Sequence, residues 1–144
     1  MLRVNFFSRF KKSPWTLAKV EKFFHVTRGF VKVNGEAEVN VVGDKEIKDL
    51  NRRYRGKNCV TDVLSFAWTE DKKVKSGLLG QIYICYPQIA RQAKELCVGA
   101  PEEFARMLAH GLLHLLGYDH IKKTEAGKMF KIQENIVKKY FTNK

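Results

Sequence analysis

The residues best suited to chemistry lie in one run, His110-Gly-Leu-Leu-His114-Leu-Leu-Gly117-Tyr-Asp-His120. Four residues of helix turn about 400°, so His110 and His114 point the same way, one turn apart. Gly117 is expected to stop that helix and turn the chain back. His120 can then return a third nitrogen to the same point. Three neutral nitrogens leave a divalent metal its full charge and one open position for water. Zinc is the default for three imidazoles, although nickel, cobalt and copper also accept them. A lone pair of histidines four apart on an apolar helix is more often packing than metal. The third histidine beyond a helix-ending glycine shifts the reading to a metal. Leu112, Leu113, Leu115 and Leu116 add to this, since unpaired imidazoles are costly to bury in such surroundings.

The spacing matches the zinc-peptidase pattern HExxHxxGxxH with one change. Gly111 stands where those enzymes carry the glutamate that serves as general base, so a peptidase mechanism is poorly supported. Asp119 adjoins His120 and is suited to orienting an imidazole. A second run, Asn51-Arg-Arg-Tyr-Arg55-Gly-Lys-Asn-Cys-Val-Thr61-Asp62-Val-Leu-Ser65-Phe66, carries a basic helix end into a loop and a strand. Arg55 can grip a phosphate with two parallel hydrogen bonds. Thr61 and Asp62 fit a turn at the strand start. Ser65 lacks the flanking glycines of a nucleophile elbow. Arg52 and Arg53 read as a solvated basic face.

These residues need elements to hold them. Leu2 to Phe6 reads as a short strand. Pro14 opens a helix through about Gly29, with Trp15, Ala18, Val20, Phe23 and Phe24 as its apolar positions. Glu36 to Val42 reads as a half-buried strand. Gly43-Asp44 makes a turn with an N-cap, and a helix to about Tyr54 turns Ile47 and Leu50 inward. Val63 to Trp68 and Leu78 to Cys85 read as strands that pair antiparallel across the polar loop 69–77. Pro87 lies near the start of a helix to about Val98, and Gly99-Ala-Pro101 breaks the chain. The histidine helix follows, with Glu102 and Glu103 in its first turn and its end near Leu116. The last helix starts near Thr124 with Met129, Ile132, Ile136 and Tyr140 as its inner stripe. The order β-α-β-α-β-β-α-α-α predicts an α+β fold: a small mixed four-stranded sheet packed with about five helices. The first two strands are expected to be parallel, because a helix joins them. The metal site falls on a central helix and the loop after it.

The 144 residues fit one domain, 1–144. A hydrophobic share of 44% with 29% charged residues excludes a wholly disordered chain, a collagen-like repeat and a membrane bundle. Lysine and arginine number 27 against 15 acids, a formal charge of +12, heaviest in the first thirty residues. Such a field favours an anionic partner, nucleic acid first and an anionic membrane surface second. Cys59, Cys85 and Cys97 are odd in number and far apart, which fits a reducing cytoplasm better than a disulfide framework. The first ten residues lack a long apolar run, so no secretory signal is expected. Met107 to Tyr118 is too short to span a bilayer. Phe6, Phe7, Phe10, Trp15 and Trp68 are candidates for base stacking, with packing the commoner use. His25, Met107 and Met129 are expected to be structural.

The run HGLLHLLGYDH, with YRGKNCVTDVLSF upstream, resembles the YbeY family of rRNA-maturation endoribonucleases. The first run follows the pattern HGxLHLxGYDH throughout. The second matches N-x-x-Y-R…P-T-D-V-L-S-F-P at Asn51, Tyr54, Arg55 and Thr61 to Phe66. Val60 and Ala67 replace the flanking prolines. Gly80-Gln81-Ile82 stands where the family usually has Gly-Asp-Ile, and Gln81 cannot supply that negative charge. The resemblance implies a zinc-dependent, single-strand-specific endoribonuclease of 16S rRNA 3′-end processing and ribosome quality control. By position it makes His110, His114 and His120 the metal ligands and Arg55 the basic residue near the metal. The implied partners are single-stranded rRNA and the ribosome or small-subunit proteins, with no membrane. Two rivals follow from the same residues: a metal hydrolase acting on peptide or a small phosphate ester, and a non-catalytic ribosome-assembly factor with structural zinc.

Overall fold

A computed structural model describes residues 1–13, 15–68, 77–118 and 123–142. The elements run β1 (Leu2–Ser8), α1 (Leu17–Thr27), β2 (Gly35–Val42), α2 (Asp44–Arg55), β3 (Val63–Ala67), β4 (Leu78–Cys85), α3 (Tyr86–Leu96), α4 (Ala100–Leu115) and α5 (Lys123–Thr142). The sheet order is β1-β2-β4-β3. β1 and β4 both run parallel to β2, and β3 pairs antiparallel with β4. This is the mixed α+β architecture expected from the element order.

Several boundaries differ from the sequence reading, each for a local reason. β1 continues to Ser8, because its parallel register with β2 runs on to Val41. α1 begins at Leu17, since the Thr16 side chain accepts from the Lys19 amide and caps it. Trp15 therefore precedes the helix. It is buried against Phe104 and Tyr140, while Ala18 is exposed. Asp44 is not the cap of α2; Gly43 is, and Asp44 opens the first turn with its carboxylate on Arg91. β3 stops at Ala67, one residue short of Trp68. α3 ends at Leu96, where Cys97 takes a left-handed φ of 57°. The chain breaks between α3 and α4 at residues 97–99, with Gly99 as the cap, and Pro101 already sits in the first turn of α4, where its missing N–H has no helical partner to lose.

β2 and β4 are central, and each sheet face is covered differently. Val39, Val41, Ile82 and Ile84 join the main core with Phe23, Phe24, Phe104, Leu108, Leu112 and Ile136. Val42 and Cys85 instead meet Ile47 of α2, together with Leu64 of β3. One irregularity sharpens this. Glu36 pairs with Leu78 and Ala37 with Gly80, so Leu79 is an extra residue on β4 that turns into the main core. Gly80 then has φ +152°, and a Cβ there would lie 2.2 Å from the Phe66 carbonyl oxygen. Only glycine lets β3, β4 and Leu115 of α4 approach so closely.

α4 lies against β3, β4, α3 and α5. Phe104, Ala105, Leu108, Ala109, Leu112, Leu113 and Leu115 are buried. The stripe Met107-His110-His114 is only partly covered. On α5, Met129, Ile136 and Tyr140 are buried as expected and Ile132 is half-buried; Gln133 is buried among them. His25 departs from its expected structural place: it lies on the exposed side of α1, with Nδ1 3.0 Å from Arg28 Nη2. Among the described residues no helix is long and apolar enough to cross a membrane.

Candidate active site

The site lies where α4 passes β3, the last strand in the sheet order. A groove of about 1050 Å³ opens there, lined by α4 through Met107, His110 and His114, by α2 through Asn51 and Arg55, and by residues 57 and 59–67. The i, i+4 spacing brings the two imidazoles together as expected. His110 Nε2 and His114 Nε2 are 3.0 Å apart, with ring centroids at 4.6 Å. Two nitrogens on one tetrahedral zinc at about 2.05 Å would be about 3.3 Å apart, so this donor pair fits a metal of that kind.

The helix ends as the glycine predicts. Gly117 has φ +94°, its amide donates to the His114 carbonyl, and the Tyr118 amide donates to the Leu113 carbonyl. These are the two hydrogen bonds of a Schellman cap. The chain thus leaves the helix axis one turn after His114. Asp119 and His120, the expected orienting residue and third ligand, lie outside the described residues.

Gly111 explains itself by packing. A Cβ there would lie 3.0 Å from Ser65 Oγ, 3.1 Å from Ile82 Cγ2 and 3.2 Å from Val63 Cγ2. The residue after His110 therefore points into the sheet, away from the groove. Ser65 Oγ donates to the Gly111 carbonyl at 3.0 Å, tying β3 to α4. The hydroxyl is spent on packing, in keeping with its missing elbow.

Arg55 reaches the groove from the last turn of α2. Its Nη2 donates to the Ser65 carbonyl at 2.8 Å, and the guanidinium lies 5.6 Å from the Phe66 ring centre. Anchored at one nitrogen, the fork keeps further N–H donors for an anion. Asp62 borders the groove, but its carboxylate is engaged. Oδ1 accepts from the Val63 amide and the Thr61 hydroxyl, and Oδ2 accepts from Gln92 Nε2. That is the turn-capping role its sequence position suggests. Gln81 is not in this groove: it pairs with Phe66 on the opposite sheet face and donates to Glu38. Met107, expected in the core, is a partly exposed groove wall.

Sequence reasoning missed the residues behind His110. Its Nδ1–H donates to Gln133 Oε1 at 3.0 Å. The amide is held in that sense because Gln133 Nε2 donates to Glu134 Oε2, an acceptor only. Glu134 in turn takes Arg106 through both carboxylate oxygens at 2.9–3.2 Å. Burial pushes the Glu134 carboxyl up, but Arg106 and Gln133 more than offset this and hold it below its ordinary value. Arg106 also pairs with buried Glu103, which takes Gln92 from α3. A continuous polar chain therefore runs from Asp62 through α3, α4 and α5 to His110. The one signal in the sequence was a glutamine within the apolar stripe of the last helix.

The YbeY family model, described as Endoribonuclease YbeY, matches residues 10–141. The chain belongs to the YbeY family. Two similar YbeY proteins, both called Endoribonuclease YbeY, come from Malacoplasma penetrans and Aquifex aeolicus. They are 35% and 38% identical, over 89% and 90% of this chain and 85% and 86% of theirs. The YbeY of Ureaplasma urealyticum serovar 10 is 45% identical over 69% of this chain. The chain spans about 64% of the length of that protein. The solution structure of TM1509 from Thermotoga maritima superposes with a TM-score of 0.70, at 28% identity, covering 99% of this chain and 91% of that one.

Proposed function

We propose that this YbeY-family chain is a metal-dependent endoribonuclease that cuts single-stranded rRNA. We assign it to maturation of the 16S rRNA 3′ end and to ribosome quality control in the cytoplasm, with the ribosome or small-subunit proteins as partners. The observation that carries this reading is the convergence of His110 Nε2 and His114 Nε2, 3.0 Å apart, in a groove that Arg55 enters from the facing wall. The family's endoribonuclease name and the charge of +12 support it.

His110, His114 and His120 would hold one zinc ion. Bound there, the ion would supply Lewis acidity to phosphodiester cleavage. The chain's own residues do the rest. Gln133 accepts from His110 Nδ1 and so leaves Nε2 as a lone-pair donor facing the groove. Arg55, fixed on the Ser65 carbonyl, presents its remaining N–H groups to the phosphate and offsets charge that grows on it during cleavage. Asp119 is suited to orienting the His120 ring. Asp62 and Ser65 shape the groove floor, held there by the Val63 amide and Gln92 and by the Gly111 carbonyl. A peptidase reading is disfavoured because the position of its general base is Gly111, packed against Ser65 and Ile82.

The deciding experiment compares wild type and His114→Ala, purified alike and supplied with zinc, on an RNA fragment spanning the 16S rRNA 3′ end. Cuts made by the wild type and absent from the variant are expected. Equal cutting by both would assign the activity to a contaminant. Bound zinc with no cutting, here or on ribosome-associated RNA, would overturn the nuclease reading in favour of an assembly factor with structural zinc.

A further inference from the structure

A second, smaller groove of about 270 Å³ lies on the other side of β3, lined by Leu50, Tyr54, Phe66, Trp68, Gln81 and Tyr83. The chemistry above makes no use of it. Its position follows from two periodicities. Ser65 pairs with Ile82 and faces α4, so Phe66, paired with Gln81, faces the opposite way. On the last turns of α2, Asn51 and Arg55 line the histidine groove. Leu50 and Tyr54, each one residue earlier, line the second groove. The end of α2 and the edge strand thus form a shared wall, with Phe66 bordering both spaces.

The lining is aromatic; its margin is cationic at the end of α2, where Asp49 pairs with Arg52, and acidic on the sheet side, where Glu38 takes Gln81. Phe66 meets Tyr54 edge-on at 5.3 Å and Tyr83 at 5.9 Å. Tyr54 is 62% exposed and Trp68 41%, large apolar surfaces left in water. Arg52, Arg53 and Lys57 are exposed around the same helix end, and Arg55 lies over Phe66. An apolar protein segment would have to strip water from these cations. A polyanion with flat rings would not, because it pairs with the cations while its rings stack. The volume is below the roughly 300–1,000 Å³ of complete small-molecule sites. It suits one ring of a longer ligand.

We propose that this groove takes a single nucleobase of single-stranded RNA, stacked on Tyr54 and Trp68, next to the nucleotide whose phosphate meets Arg55. The inference rests on the reading of the ligand as RNA. It makes Tyr54 and Trp68 positioning residues that set which phosphate reaches the histidines.

Intrinsic fluorescence can test it on the full chain, with chelator present so that no RNA is cut. Trp15 is buried in the core at 2% exposure, so quenching by a short single-stranded oligouridine reports on Trp68. Tyr54→Ala and Trp68→Ala are each expected to weaken binding roughly tenfold, followed by anisotropy of a labelled oligonucleotide. Trp68→Phe and Tyr54→Phe should retain most of it. An oligonucleotide with one abasic ribose should bind the wild type less tightly at one position only, and both alanine variants equally at all positions. Thermal melts matching wild type establish that the variants fold, and the exposed Trp68 serves if Tyr54→Ala does not. Binding by the wild type that neither the alanine variants nor the abasic sites alter would overturn the stacking site, while leaving the nuclease reading in place. That result would turn the groove towards a protein partner. No binding of oligonucleotide at all would overturn the RNA reading and the site with it.

Discussion

Gln133 Oε1 accepts the Nδ1–H of His110 at 3.0 Å, across the interface between α4 and α5. This contact fixes both the tautomer and the angle of the imidazole. Removing such a partner typically costs metal affinity about 10–100-fold. Gln133→Leu is expected to weaken zinc binding in that range, measured by competition with a chromogenic chelator. Gln133→Glu keeps an acceptor on His110 and should retain the affinity. The imidazole ¹⁵N shifts of His110 should report a mixed tautomer only in the leucine variant. Unchanged zinc affinity in Gln133→Leu would remove the residue from the site.

The close approach of α4 to the sheet depends on two glycines with different tolerances. At Gly80 an added Cβ meets backbone at 2.2 Å on a φ of +152°. Strain of about 1–3 kcal/mol and overpacking of about 1–3 kcal/mol then add. Gly80→Ala should therefore lose roughly 2–6 kcal/mol in urea unfolding. At Gly111 the neighbours are the side chains of Ser65, Ile82 and Val63 at 3.0–3.2 Å. The helix gains about 1 kcal/mol from alanine, and the overpacking more than cancels it, for a net loss of about 1 kcal/mol. Gly111→Glu should be far worse, and should yield no zinc-dependent peptidase activity. A stable Gly111→Glu protein that hydrolyses casein would contradict this orientation of α4.

What could be read from the sequence was whatever a local period or a single backbone requirement specifies. His110 and His114 converge because a helix turn brings them together, and Gly117 ends the helix because its φ is positive. The parallel β1–β2 pair and the antiparallel β3–β4 pair followed from the length and type of their connections. Starting points decided by competing local hydrogen bonds were read less well: α1 begins at Leu17 behind the Thr16 cap, and Gly43 rather than Asp44 precedes α2. Gln133 was hidden because its partner lies 23 residues away on another helix. The aromatic groove was hidden because it needs the register of Phe66 against Gln81, which no single segment contains.

Asp44 and Cys85 supply a pair of titration predictions at the other end of α2. The bidentate hydrogen bonds from Arg91, at 2.7 and 3.1 Å, hold the Asp44 carboxyl below its ordinary value against the opposing effect of burial. A carboxyl depressed in the folded state contributes stability above its unfolded pKa of about 3.9 and loses it as pH falls through the folded value. The difference in urea midpoint between wild type and Asp44→Asn should be constant from about pH 7 to about pH 5 and close as the pH drops below about 4. Burial, with Asp44 nearby, pushes the Cys85 thiol up to about 12. In native protein near neutral pH, Cys59 and Cys97, both exposed, should react with a thiol reagent, and Cys85 should react only on unfolding. Fast labelling of Cys85 in native protein would show that β4 opens at its end.

Arg55 carries the last prediction, because its anchor makes it more than a positive charge. One guanidinium nitrogen holds the Ser65 carbonyl at 2.8 Å, so the plane of the fork is set by β3 before any anion arrives. Lysine keeps the charge but has no second nitrogen with which to make the anchor and grip phosphate in parallel. Arg55→Lys should therefore lower kcat/KM for RNA nearly as much as Arg55→Ala, about 10-fold or more, with zinc affinity unchanged in both. Binding of single-stranded RNA by the wild type should weaken linearly in log–log form with added salt, since phosphate contacts dominate it. Loss of one contact should make that slope shallower by about 0.7 in Arg55→Ala and leave it nearly unchanged in Arg55→Lys. Full activity in Arg55→Lys would reduce the residue to a contributor of charge alone.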